Sequence, residues 1–411
     1  MEFIADFHIH SKYSRATSRD MDIEHISQWA KLKGIALMGT GDFTHHLWLE
    51  ELKGKLEDLG NGLFIHKGIH FILTSEVSSI YSKKGKTYRI HNLIISPSFK
   101  TTDKINSALG KRGNIASDGR PILGIDARDL AEIVFDIDES CMIVPGHIWT
   151  PWFSLFGSMS GFDRIEDCFE DQTGKIFALE TGLSSDPAMN WRLSALDPFT
   201  LISNSDSHSP SKIGREANVF DCGLSYQEIR DTLKNKDKKK LLYTIEFFPE
   251  EGKYHFDGHR LCDVRLSPEE TRKNKGKCPK CGKQVTVGVM NRVEQLADRP
   301  LGYVPENSIP YKNLIPLDEI IAETKNVSKT SQAVEKEFMG IISKFGSEFN
   351  VLLKASTQEL KERLPGRISE GIIRMREGKV NVKAGFDGEY GVIKVFNQEH
   401  KEKDEEQLSL F

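Results

Sequence analysis

The chain has 411 residues, 38% hydrophobic and 28% charged, enough for more than one domain with its own core. Its 56 Lys and Arg against 60 Asp and Glu give a formal charge of -4, which excludes coating nucleic acid with bulk positive charge and leaves only a local patch for such contacts. A mean hydropathy of -0.41, no run of about 18 apolar residues and no signal-like start predict a cytoplasmic chain without a membrane span, and six Cys are too sparse for a disulfide framework.

The first half alternates short apolar runs with amphipathic stretches, the pattern of repeated βα units around a mostly parallel sheet. Strands are predicted at residues 3–7, 35–38, 71–73, 91–95, 142–144, 176–179 and 200–202. Residues 22–33 and 126–138 carry helical spacing opened by an acidic residue. From Leu224 to about Glu251 a helix-like stretch with a basic run leads into a short apolar strand and the acidic turn PEEG. A polar, Pro-punctuated connection over 299–316 precedes helical spacing from Leu317 to Leu364, and 385–396 read as a small β element. The expected units are residues 1–245, a small module at 250–295, a mainly helical region with a β element at 315–397, and a charged tail at 398–411.

Chemistry is carried by what stands at the strand ends. The first run leads into Asp6-Phe7-His8-Ile9-His10 and the second into Gly41-Asp42-Phe43-Thr44-His45; the third ends in Ser75-Glu76 and the fourth begins at His91. The fifth ends in Pro145-Gly146-His147, the sixth in Glu180 and the seventh in Ser205-Asp206-Ser207-His208. A lone His is more often a core or surface residue. A metal-ligand type at nearly every strand end is another matter, because parallel strands open all their C-terminal ends onto one rim. Strand alternation also puts His8 with His10, and Asp206 with His208, on one side. The candidate ligands are His8, His10, Asp42, His45, Glu76, His91, His147, Glu180, Asp206 and His208. These imidazoles and carboxylates suit two or three divalent ions (Zn, Mn or Mg), and a bridging carboxylate sets ions about 3.5–4 Å apart to activate water against phosphate esters. Asp206, Glu76 and His147 are the expected catalytic members.

DFHIHS, the Asp42/His45 region, Glu76, His91, His147 and NSDSH resemble the motifs of PHP (polymerase and histidinol phosphatase) domains over about residues 1–220. The resemblance implies an α/β fold, a distorted (β/α)7 PHP barrel, and phosphoester hydrolysis by metal-activated water. It implies His8, His10, Glu76 and Asp206 for a first metal, His91 and His147 with bridging Glu76 for a second, and His208 for a third. Such domains usually read Thr-Asp-His after the second strand; here Gly41-Asp42-Phe43 requires His45 or Asp42 to stand in, and no acidic residue follows the first His-x-His.

Farther along, His255-Phe-Asp-Gly-His259-Arg-Leu-Cys262 and Cys278-Pro-Lys-Cys281-Gly form two clips at zinc-ribbon spacing. The Gly frees a tight turn whose amides face thiolates, so His259, Cys262, Cys278 and Cys281 are expected to close a structural zinc, with His255 as the rival fourth ligand. Lys273, Lys275, Lys277 and Lys280 on this loop read either as a phosphate-binding patch or as a solvated basic face. The final QLSLF resembles the bacterial β sliding-clamp binding peptide. Gln407 would bond the pocket rim while Leu408, Leu410 and Phe411 are apolar contacts to the clamp, the last two filling the cavity.

The barrel motifs, KYHFDGHRLC…CPKCGK and REGKVNVKAGFDGEYGVI together resemble the endonuclease Q family of PHP-domain DNA repair endonucleases over nearly the full length. That resemblance implies nicking on the 5′ side of deaminated bases (uracil, hypoxanthine, xanthine) and abasic sites in damaged DNA, in a cytoplasmic, nucleoid-associated setting. Such chemistry takes the nucleotide out of the stack. Trp149, Trp152 and Phe153, just after His147, are candidates for stacking or wedging, or else an aromatic core under a long loop. A PHP-type 3′-5′ exonuclease keeps the clamp and DNA. A small-molecule phosphoesterase leaves the basic loop and QLSLF idle.

Overall fold

In a computed structural model, which describes residues 1–396, seven strands close into a ring. They are β1 (Glu2–Asp6), β2 (Leu37–Gly39), β3 (Ile69–Lys83), β4 (Lys86–Ser96), β5 (Met142–Pro145), β6 (Ala178–Glu180) and β7 (Thr200–Ile202). β1–β2, β2–β3 and β6–β7 pair in parallel. The seams on either side of β6–β7 are not continuous ladders: on one side Ile148 N–H donates to Glu180 O at 3.1 Å, and on the other Phe7 N–H donates to the Asn204 side chain at 2.9 Å, Ser205 N–H to Asp6 Oδ1 at 3.1 Å and His10 N–H to Ser207 O at 2.9 Å. These interruptions distort the barrel. Phe3, Ala5, Phe7, Leu37, Ile72, Leu93, Ile95, Met142, Val144 and Ile202 form one buried cluster, as an alternating strand pattern dictates. Tyr226 belongs to the same cluster and donates its hydroxyl to Ile95 O and Ser140 O.

One part of the parallel expectation fails. β3 and β4 form an antiparallel hairpin from the Leu73–Ser96 pair to Lys83–Lys86, and β4 pairs antiparallel with β5. Lys84 (φ 52°) and Gly85 (φ 80°) make its two-residue turn, where successive positive φ values match the twist of the strands. Glu76 and His91 therefore lie mid-strand rather than at strand ends. The apolar-run criterion stopped at Leu73 because Thr74, Ser75, Glu76, Ser78 and Ser79 follow, all polar and all buried. Outside β1, β8 (Ala217–Asp221) and β9 (Leu241–Glu246) extend the sheet antiparallel, and Tyr311–Asn313, inside the stretch read as a connection, adds a parallel strand at the edge.

Helix α1 (Ile23–Lys33) starts where Asp22 accepts the His25 amide at 2.9 Å, and α2 (Ala127–Ile137) buries Leu130, Ala131, Val134 and Phe135. Cys278, Val264, Leu266 and Val285 give the small module its own cluster. Beyond it, α3 (Leu317–Lys325), α4 (Gln332–Phe345) and α5 (Gly366–Arg376) form the helical region; α5 lies past the predicted limit at Leu364. Asn381–Lys383 and Val392–Lys394 pair as its β element. Residues 397–411, with Gln407, Leu408, Leu410 and Phe411, lie outside the described residues. Among the described residues no helix is long and apolar enough to cross a membrane.

The helical region is pinned to α1 by a buried ion pair, Lys33 Nζ to Glu348 Oε2 at 2.5 Å, while Glu348 Oε1 accepts the Leu317 amide at 2.8 Å. Removing one partner of such a pair leaves an uncompensated charge. Glu348→Ala should therefore cost about 3–5 kcal/mol in denaturant unfolding, and Lys33→Met with Glu348→Leu should recover most of it.

Candidate metal centre

Two groups of side chains meet at the barrel mouth and share Glu76, each offering ligand atoms within 4.8 Å of one another: His8, His10, Glu76 and Asp206, and Glu76, His91 and His147. The two carboxylate oxygens of Glu76 divide between them. Oε2 lies 3.6 Å from His8 Nε2 and 3.3 Å from His10 Nε2. Oε1 lies 2.6 Å from His91 Nδ1 and 3.2 Å from His147 Nε2. Asp206 Oδ1 completes the first group at 3.0 Å from His10 Nε2.

Three of the four imidazoles are oriented from behind. His8 Nδ1–H donates to Glu180 Oε2 at 2.8 Å and His10 Nδ1–H to Asp42 Oδ1 at 3.1 Å. Asp42 Oδ2 in turn accepts from the Ser11 amide and from the hydroxyls of Ser11 and Ser14. His147 Nδ1–H donates to Thr150 Oγ1 at 3.1 Å. Carboxylate support of this kind fixes the tautomer that leaves Nε2 free toward a cation. Asp42 and Glu180, expected as ligands, thus belong to neither group and hold ligand-type histidines instead. His45 also belongs to neither; its ring stacks on Tyr13 at 4.5 Å between centroids. His208 stands beside His10, ring centroids 4.5 Å apart, and donates from Nδ1 to Asp206 O.

The backbone is strained where it delivers these groups: Asp42, His147 and Asp206 have φ of 48°, 30° and 45°, a region that costs a residue with a Cβ about 1–3 kcal/mol. Gly182 allows the bend at His147, since a Cβ there would stand 2.4 Å from His147 Cβ. Electrostatics follow the geometry. Burial opposes charge on His8, yet Glu180 and Glu76 hold its imidazole well above the ordinary range, and Asp42 and Asp206 do the same for His10. Burial likewise opposes ionised Glu76, but His91, Arg120 and His8 keep it well below the usual carboxylate range; His10 and His8 do so for Asp206. His91 is pushed down to about 4, chiefly by burial. His8 Nε2 is buried without a hydrogen-bond partner, which, with this donor set, fits a divalent cation better than a closed hydrogen-bond network.

In the small module His259, Cys262, Cys278 and Cys281 form a third group within 4.8 Å. Burial raises the Cys278 thiol, but the amides of Cys281 and Lys280 bring it below its usual value. His255 is elsewhere: it is buried, its Nδ1 lacks a partner, and it lines a cavity of about 750 Å³ with Thr150, Trp152, Arg215 and Tyr254. That cavity adjoins the metal groups, for Thr150 holds His147 and Arg215 donates to the carbonyls of Ser205 and Asp206. Trp152 is exposed at its edge, 6.0 Å from Tyr254 between centroids. Phe153 packs on His91, whereas Trp149 is core, donating its indole N–H to Asn190 and lying against Phe156. Of the two readings of Trp149, stacking residue or aromatic core, the structure has the core. Lys273, Lys275, Lys277 and Lys280 are exposed, Lys273 paired with Glu269 at 2.9 Å. Arg120, Arg215 and Thr150 were not signalled by any strand-end pattern; all three stand in loops.

Residues 316–379 match the family described as the MJ0043 C-terminal domain. The chain is 34% identical over 267 residues to protein MJ0043 of Methanocaldococcus jannaschii, spanning 62% of this chain but only 33% of that protein's length. It is 29% identical to protein YqxK of Bacillus subtilis, covering 95% of this chain and 98% of that one. The lesion-specific endonuclease PfuEndoQ from Pyrococcus furiosus has a solved structure that is 33% identical, with complete coverage of both chains and a TM-score of 0.87. A structure of endonuclease Q with a duplex carrying an abasic lesion at its active site is 33% identical, with a TM-score of 0.85 over 99% of this chain and 100% of that one. With identity of that level sustained from end to end, the chain belongs to the endonuclease Q family.

Proposed function

We propose that this protein is a lesion-specific DNA repair endonuclease that nicks on the 5′ side of deaminated bases (uracil, hypoxanthine, xanthine) and abasic sites. The observation that carries the reading is the pair of histidine–carboxylate groups sharing Glu76 in a chain alike from end to end to endonuclease Q. His8, His10, Glu76 and Asp206 would hold one divalent ion, and Glu76, His91 and His147 would hold a second. Divalent ions at these positions would supply water activation and neutralisation of charge on a phosphodiester. The chain's own contribution is orientation: Glu180, Asp42 and Thr150 fix the three rings, and the strained turn at Asp206 aims its carboxylate.

A nick beside a lesion requires the damaged nucleotide to leave the stack. The cavity of about 750 Å³ next to His147 and Asp206 has room for one, with Trp152 and Tyr254 placed to stack on it. The group of His259, Cys262, Cys278 and Cys281 would hold a structural zinc and present Lys275, Lys277 and Lys280 to DNA phosphates. QLSLF, residues 407–411, makes a sliding clamp the second partner.

The test is a panel of duplexes with one uracil, hypoxanthine, xanthine, abasic site or mismatch, assayed with Mg, Mn or Zn. Asp206→Ala should abolish nicking while leaving lesion-duplex binding intact; sustained turnover would remove Asp206 from the metal set. Glu180→Gln, which keeps the shape but weakens support of His8, should lower nicking about 10–100-fold. Protonation states are open to histidine NMR on chelator-treated protein: His91 should stay neutral down to about pH 4, and His8 and His10 should stay charged well above pH 6.5. Since their folded pKa is raised, the stabilisation they give is complete below about 6.5 and fades as pH rises through the folded value.

A further inference from the structure

Arg120 comes from the loop between the helix Phe99–Gly110 and the short strand Ile122–Leu123, which is tied down on both sides. The Gly119 amide donates to Tyr13 O at 3.0 Å, Gly119 O accepts from Thr44 Oγ1 at 3.1 Å, and Pro121 O accepts the Ser78 amide at 3.0 Å. Gly119 is required there, because a Cβ would fall 2.3 Å from Asp42 Oδ2, the carboxylate that holds His10. The loop is thus pressed against the back of the first group. It delivers Arg120 Nη1 to Glu76 Oε2 at 3.1 Å, the oxygen that also faces His8 and His10. The Arg120 side chain is 29% exposed while Glu76 is fully covered, so the Arg120 side chain stays reachable from solvent where Glu76 is not.

A guanidinium carries five N–H donors in a planar fork that matches a phosphate, and the Glu76 contact uses one. Charge on the nonbridging oxygens must be met in the transition state of phosphoryl transfer. We propose that Arg120 is a catalytic residue of the nicking reaction: its remaining donors bind a nonbridging oxygen of the scissile phosphate. This rests on the endonuclease reading above.

The full-length protein and Arg120→Ala and Arg120→Lys are compared on a single-lesion duplex under single-turnover conditions, with metal content measured per chain. Arg120→Ala should lose about 100-fold or more in rate at unchanged metal content, and millimolar methylguanidinium should restore part of it. Arg120→Lys, with charge but no fork, should fall between. A rate within about threefold of the parent's, or metal loss with no rescue, overturns the assignment; the second outcome would make Arg120 only a support for Glu76. If the parent protein itself cuts none of the duplexes, the endonuclease reading fails, and that result is separate from any effect of Arg120.

Discussion

Glu76 is an ionised carboxylate at 1% exposure, and the rest of the mouth is arranged around that fact. Moving such a group out of water costs several kcal/mol unless cations surround it. In the described residues that positive charge comes from Arg120 and from His8, His10 and His147, whose imidazoles are held above the ordinary range, while His91, neutral above about pH 4, adds a contact at 2.6 Å to Oε1. A carboxylate held this way can bridge two ions with little rearrangement, because both oxygens already face imidazole nitrogens. The residues behind it belong to the same constraint: Glu180 and Asp42 are themselves fully buried, and one oxygen of each, Oε1 of Glu180 and Oδ1 of Asp42, is partnered by its histidine.

The antiparallel hairpin is what makes the sharing possible. In an all-parallel barrel, strands three and four would each meet the rim once, at their ends. By running on past Glu76 and turning back at Lys84-Gly85, β3 and β4 place Glu76 and His91 mid-ladder, where both backbones are fixed by hydrogen bonds on either side. His8, His147 and Asp206 come instead from loops, two of them with positive φ. A rigid shared carboxylate and strained loop-borne partners are complementary, since strain persists only where the surroundings over-determine the backbone.

This contrast also explains what the sequence made legible. The seven strand positions could be read because short apolar runs punctuated by polar turns are distinct in a buried ring. The convergence of His8, His10, His147 and Asp206 followed from one rule about strand ends, while Glu76 and His91, grouped with them by the same rule, reach the mouth from mid-strand. That rule could not separate a residue facing the mouth from one facing the back of a histidine, which depends on rotamer and loop path, so Asp42 and Glu180 were grouped with the rest. Nor could it find Arg120: DGRP has turn chemistry, and nothing in its spacing points at Glu76. The length of β3 was hidden because buried Ser and Thr look like a turn when only apolarity is counted.

The cavity beside the metal groups has a further consequence for how the chain is put together. Thr150, Trp152 and Arg215 come from the barrel, Tyr254 and His255 from the module with the Cys cluster, and Glu319 and Lys329 from the helical region. No single unit encloses it. The space can therefore keep its shape only if all three are docked, which gives the buried Lys33–Glu348 pair and the edge strand at Tyr311–Asn313 a role beyond stability. A pocket assembled at such a junction ties its shape to the packing of the whole chain, so loosening any one unit changes the space beside the groups that share Glu76.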